Sequence, residues 1–214
     1  MDLGYLALLI PVMLFALSCH EMAHAWVALR FGDPTARDLG RITLNPLRHL
    51  DPLGTLMVIF AGFGWAKPVP VDERNLKDPL RDGLWIAAAG PGANFLAALG
   101  AGILLQLLFR SPELITFLGF AAEPAFGLLQ IGVQLNLALA VFNLIPLHPL
   151  DGSRVLKGLL SRENAARFAQ IDQAGPLILL GVLVAGRATG TSVLGLVMGP
   201  IVGALRRLVS GGLM

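Results

Sequence analysis

At 214 residues, more than half of them apolar and only 14% charged, the chain has a mean hydropathy of +0.71, which excludes an ordinary soluble domain and makes the bilayer its expected solvent. A net charge of +2 and a pI near 9.1 do not make it a nucleic-acid binder, because Lys and Arg flank apolar runs instead of forming one stripe with interleaved aromatics. Cys19 is the only cysteine, so no internal disulfide can form.

The opening Met1-Asp2-Leu3-Gly4 lacks the positive start and small-residue cleavage site of a signal peptide, so the first apolar run is expected to be retained. That run, about Gly4 to Phe31, would be ~42 Å long as a helix, enough to cross with some tilt. Gly32-Asp33-Pro34 ends it, since proline removes a donor and biases its predecessor away from helix. From Asp33 to Asp82 the pattern turns to polar turns, prolines and short β-like runs, such as 40–46 and 65–71. The apolar piece Pro52 to Trp65 is too short to span comfortably, so a re-entrant or hairpin segment with both ends on one side is expected. Further full spans are predicted over about Gly83 to Phe109 and Ala125 to Leu147. Two short, glycine-rich stretches follow, near Ala174 to Ala185 and Thr191 to Leu205, and hydropathy alone does not decide whether they cross.

The expected fold is therefore an all-α polytopic membrane protein. A three-helix catalytic core is followed by additional C-terminal helices, and a small membrane-associated β segment lies between the first and second long spans. One transmembrane domain, 1–214, accounts for the chain, with the core at about 4–155 and the C-terminal helices at about 156–214. If the last two stretches cross, there are five spans. Eight Lys and Arg from Arg30 to Arg81, four from Arg154 to Arg167, and Arg206-Arg207 then share one side. Only Arg110 and Arg187 fall on the other, which predicts an outside N-terminus and a cytoplasmic C-terminus.

Chemistry concentrates in His20-Glu21-Met22-Ala23-His24. Helical spacing i,i+4 puts both imidazoles on one face, able to meet one metal, while Glu21 lies one position round and can hold a water. Zinc suits such a set, since a catalytic zinc keeps three protein ligands and a position for water. Glu21 would take that water's proton as general base and deliver it to a leaving amine. Three ionisable groups inside an apolar span are costly without such a purpose.

The third ligand is sought at similar depth, in Asn143-Leu144-Ile145-Pro146-Leu147-His148-Pro149-Leu150-Asp151-Gly152. Asp151 is the choice, against the alternative that it merely caps a helix beginning near Ser153. His148 is a rival ligand from the same segment. Asn94 and Asn143, amides within apolar spans, either stabilise a substrate carbonyl and its oxyanion or join helices by hydrogen bonds. Gly90-Pro91-Gly92 permits close backbone approach near Asn94. His49, in a basic loop, is assigned no role.

With these residues in place, the chain resembles the site-2 proteases, intramembrane zinc metallopeptidases, in their compact bacterial and archaeal form. HEMAH, ITLNPLRHLDPLGT, GWAKPVPV, AGPGAN and NLIPLHPLDG carry the resemblance, over about residues 20 to 155. It implies one zinc ion held by His20, His24 and Asp151, with Glu21 activating water to cleave transmembrane segments of single-span proteins. It also implies that the β-like segment receives an unwound substrate as an added strand. The PDZ or CBS domain of many relatives is absent from this sequence. The expected setting is the lipid bilayer of a prokaryotic cell membrane, with the active site toward the cytoplasm. Two other readings compete: a membrane protein that carries or senses a metal, against which Glu21 argues, and an inactive relative that only binds membrane proteins.

Overall fold

The computed structural model describes residues 2–61 and 66–214. Three helical stretches are long and apolar enough to cross a membrane: α1 (Leu3–Arg30), a later helix α4 (Pro79–Arg110), and the stretch Pro112–Asn143. Between the first two lie α2 (Thr35–Asp38) and α3 (Pro52–Ala61). The Pro112–Asn143 stretch consists of α5 (Pro112–Leu118), a single 3-10 turn and α6 (Ala122–Asn143). The chain continues through α7 (Asp151–Leu159), α8 (Arg162–Asp172), α9 (Gly175–Thr189) and α10 (Val193–Val209).

Local signals set the helix ends. Asp2 accepts from the Gly4 amide and starts α1, while Gly32, with φ +106°, turns the chain after it. Asp78 caps α4 immediately before Pro79, whose missing N–H costs nothing in a first turn. Pro11 and Pro91 lie inside α1 and α4, and both helices run continuously through them.

α1, α4 and α6 form the central bundle. Its buried contacts rest on small residues, among them Ala16, Ala25, Ala28, Ala98 and Ala140, which let helix backbones approach closely. Large apolar side chains such as Leu96, Leu104, Leu107 and Phe109 point outward instead, as lipid-facing residues do.

The expected β segment is not there. Among the described residues the segment between α1 and α4 holds only one antiparallel bridge, Leu50 to Ala66, and no strand. Proline is the reason: Pro46, Pro52, Pro68 and Pro70 offer no ladder donors. Thr43 and Asn45 side chains also accept nearby amides, which turns the chain into a 3-10 helix at Pro46–Arg48. Residues 67–71 have no regular structure, and their polar groups bond elsewhere, as described below. The apolar piece expected at Pro52 to Trp65 begins as the ten-residue α3, about 15 Å long, and its remainder, 62–65, lies outside the described residues. Its two ends meet, since the Lys67 amide donates to the His49 carbonyl at 2.8 Å.

The C-terminal helices bear on the crossing that hydropathy leaves open. α9 and α10 have 15 and 17 residues, and neither alone is long enough to count among the spans. α8 and α9 together could make a fourth, bent by 48° at their junction. α10 packs Val202 and Val209 into a core with Ala98, Val133 and Leu137. The Gln106 amide donates to the Val209 carbonyl, and Gly102 leaves room for the Val209 side chain. Gln106 is near the end of α4, so Arg206 and Arg207 lie toward the Arg110 end of the bundle. They lie at the end of the bundle opposite the basic residues of 30–81 and 154–167.

Candidate metal centre

His20 and His24, one turn apart on α1, sit with ring centroids 4.6 Å apart and planes at 84°. Each ring is fixed through Nδ1. That of His20 lies 2.6 Å from Asn94 Oδ1 and that of His24 2.6 Å from the Ile86 carbonyl, both on α4. The Asn94 amide nitrogen donates to the Ala16 carbonyl and to Asn136 Oδ1, which leaves its oxygen as acceptor toward His20. Asn136 in turn donates to the Gly132 carbonyl within α6. Both partners of the Nδ1 atoms can only accept, so both Nδ1 atoms carry the proton and both Nε2 atoms present lone pairs.

Those lone pairs converge. The two Nε2 atoms are 3.0 Å apart, and Asp151 Oδ2 lies 3.1 Å from one and 3.4 Å from the other. Asp151 Oδ2 is buried without a hydrogen-bond donor. Three acceptor atoms facing one another this closely repel unless a cation lies among them. Two nitrogens on a tetrahedral zinc would sit roughly 3.3 Å apart, close to what is seen. Among the described residues His20, His24 and Asp151 are the cluster able to hold a metal ion, and the donor set fits zinc.

Two glycines make this approach possible. A Cβ at Gly90 would overlap both imidazoles, and a Cβ at Gly152 would overlap the carbonyls of Leu144 and Ile145. Gly90 lets α4 pass beneath the histidines. Gly152 lets the first turn of α7 tuck against the chain leaving α6, which carries Asp151 to α1.

Glu21 is buried beside the histidines, and its Oε2 accepts from the Val69 amide at 3.1 Å. Among the described residues Oε1 takes no hydrogen bond. The 67–69 segment is held by buried Arg41, whose guanidinium donates to the Lys67 and Pro68 carbonyls at 2.6 and 3.2 Å. His49, fully buried, bonds through Nε2 to the Thr43 carbonyl.

Other candidate residues fall outside this centre. Asn94 has its amide engaged within the protein, with its oxygen facing His20 and its nitrogen donating to α1 and α6, which is the helix-joining one of its two expected roles. Asn143 donates to the Leu139 carbonyl of its own helix. His148 is exposed, is not in the metal-ready cluster, and bonds through its backbone amide to Asp172. Asn136 was missed by sequence reasoning, although an amide in an apolar span is the same signal that singles out Asn94. Arg41, Val69 and Asp172 carry no local signal.

Comparison with known proteins finds relatives named as zinc metalloproteases. "Putative zinc metalloprotease YwhC" of Bacillus subtilis (strain 168) is 39% identical over 183 residues, covering 85% of this chain and 82% of that protein. The chain belongs to peptidase family M50. The Peptidase family M50 model itself matches residues 120–185, which include Asp151. "Putative zinc metalloprotease Rip2" of Mycolicibacterium smegmatis is 29% identical over 85% of this chain and 68% of its own length. Its namesake in Mycobacterium tuberculosis (strain H37Rv) is 28% identical over 87% and 70%. No solved structure matches significantly. As an M50 peptidase with three helices able to span a bilayer, the chain is an integral membrane protein.

Proposed function

We propose that this M50 peptidase is a zinc metalloprotease that hydrolyses peptide bonds within transmembrane segments of single-span membrane proteins, with His20, His24 and Asp151 as ligands and Glu21 as general base. The observation that carries the reading is the convergence of two histidine lone pairs and an orphaned Asp151 oxygen beside a buried glutamate. Bound there, zinc would lower the pKa of a water and polarise the scissile carbonyl.

The chain's own groups do the rest. Asn94 and the Ile86 carbonyl keep both Nδ1 atoms protonated, so both Nε2 atoms stay available. The Val69 N–H steadies one oxygen of Glu21 and leaves the other to accept a proton from water. Glu21 then returns that proton to the amine as the peptide C–N bond breaks. This chemistry would act among apolar helices packed through small residues, which supports a membrane segment as the substrate.

Twelve of the sixteen Lys and Arg lie in 30–81 and 154–167, segments at the metal end of the bundle. That asymmetry supports an active site toward the cytoplasm of a prokaryotic cell membrane. The test is Glu21→Gln, which leaves the ligands in place. Purified variant should retain zinc yet fail to cleave a single-span reporter in liposomes, and full-length single-span proteins should accumulate in cells carrying it. Unchanged turnover would sink the mechanism, and zinc flux into sealed vesicles without cleavage would favour metal transport.

A further inference from the structure

Asp172, the last residue of α8, is 4% exposed and belongs to no part of the chemistry above. Its Oδ1 accepts the His148 backbone N–H at 2.7 Å. Its Oδ2 accepts the Ser153 hydroxyl and the Lys157 ammonium, the latter at 2.7 Å. These partners bracket Asp151 in sequence: His148 lies three residues before it, Ser153 two after, and Lys157 in the next turn of α7. Gly175, at the start of α9, packs against the His148 backbone so closely that a Cβ there would overlap it. The α8–α9 junction therefore grips the turn that delivers the third ligand.

We propose that Asp172 is a positioning residue for the metal site, one that fixes Asp151 by bracing the chain on both sides of it. This rests on the reading of His20, His24 and Asp151 as zinc ligands. Asp151 needs such bracing because it sits at the first position of α7, after an irregular turn. His20 and His24 are held by Asn94 and Ile86, whereas Asp151 Oδ2 has no hydrogen-bond donor to orient it. Its position must come from its backbone. A charged carboxylate that takes three donors at once is a stiff strut, because leaving any one of them unpaired in a buried site is costly.

The experiment measures zinc affinity of the full chain in detergent, by competition with a chromophoric chelator, with no substrate present. Asp172→Asn keeps the shape but sets an amide NH2 against the Ser153 hydroxyl and the Lys157 ammonium. It should weaken zinc binding about tenfold, the low end of what outer partners of metal ligands contribute, with helix content unchanged. Ser153→Ala removes one strut and should give a smaller loss in the same direction, which keeps the idea testable if Asp172→Asn does not fold. Asp33→Asn alters another buried carboxylate that bonds to none of 148–157, and should bind zinc as wild type does. Wild-type affinity in both Asp172→Asn and Ser153→Ala overturns the proposal, as does an equal loss in Asp33→Asn. Wild-type protein that retains no zinc, or His20→Ala that retains it fully, would overturn the ligand reading beneath it.

Discussion

A methyl group added at Gly90 would overlap the rings of both His20 and His24, whereas one added at Gly92 would meet nothing within 4 Å. The pair makes a clean contrast within one helix. Gly90→Ala should lose zinc affinity about tenfold or more, because overpacking costs of order 1–3 kcal/mol and here falls on the ligands themselves. Gly92→Ala should bind zinc normally and melt no lower, since alanine favours helix. Asn94→Ala frees the His20 ring to turn and take the other tautomer, so zinc affinity should fall about 10–100-fold. Chelator competition measures all three. At this scale the sequence was informative wherever chemistry is local. The two histidines share a face because of helix period, and Asp151 follows from span direction. Asn136 acts through a partner 42 residues away and Asp172 through partners 15 to 24 residues away, and no spacing rule reaches that far.

The segment between α1 and α4 is an element without regular structure, held by side chains instead of a sheet. Arg41 clamps two successive carbonyls so that the next amide, that of Val69, meets Glu21. Arg41→Met should raise hydrogen exchange across 66–71 and lower kcat about tenfold, with zinc content unchanged, since a loosened carboxylate spends less time in a productive geometry. Asp33 ties the same region to the end of α1 by accepting from Thr35, Asn75 and the Asp72 amide. Burial pushes its carboxyl up, but these donors prevail and hold it below the ordinary carboxylate value. A lowered folded pKa means that this stability is fully present above the unfolded value of about 3.9 and is lost as pH falls through the folded one. Asp33→Asn should therefore lower the melting temperature at pH 7, by the equivalent of about 1–3 kcal/mol, with the gap to wild type narrowing as pH falls below the unfolded value. The β-like appearance of this stretch in the sequence came from alternating apolar residues and valines. That pattern suits a strand, but the prolines that interrupt it leave no ladder to build.

Across the whole molecule, the metal centre and the basic segments lie at one end and the C-terminus of α10 at the other. Arg162 shares a groove with Asp78 and Arg81, at the start of α4, whereas Val209 meets Gly102 and Gln106 near its end. Gln106 is twelve residues beyond Asn94, about 18 Å along the helix. Hydropathy puts Arg206-Arg207 with the other basic segments only if both last stretches cross, whereas packing of Val202 and Val209 against α4 and α6 sets them at the opposite end of the bundle. The difference can be measured in sealed membrane vesicles. With Cys19 replaced by Ser, single cysteines at exposed positions 162 and 207 would be treated with an impermeant maleimide before and after the vesicles are opened. Arg162→Cys and Arg207→Cys should react from opposite faces. Labelling of both from one face would mean that α10 runs the other way, which would break the Gln106–Val209 bond and leave the Gly102 recess unfilled.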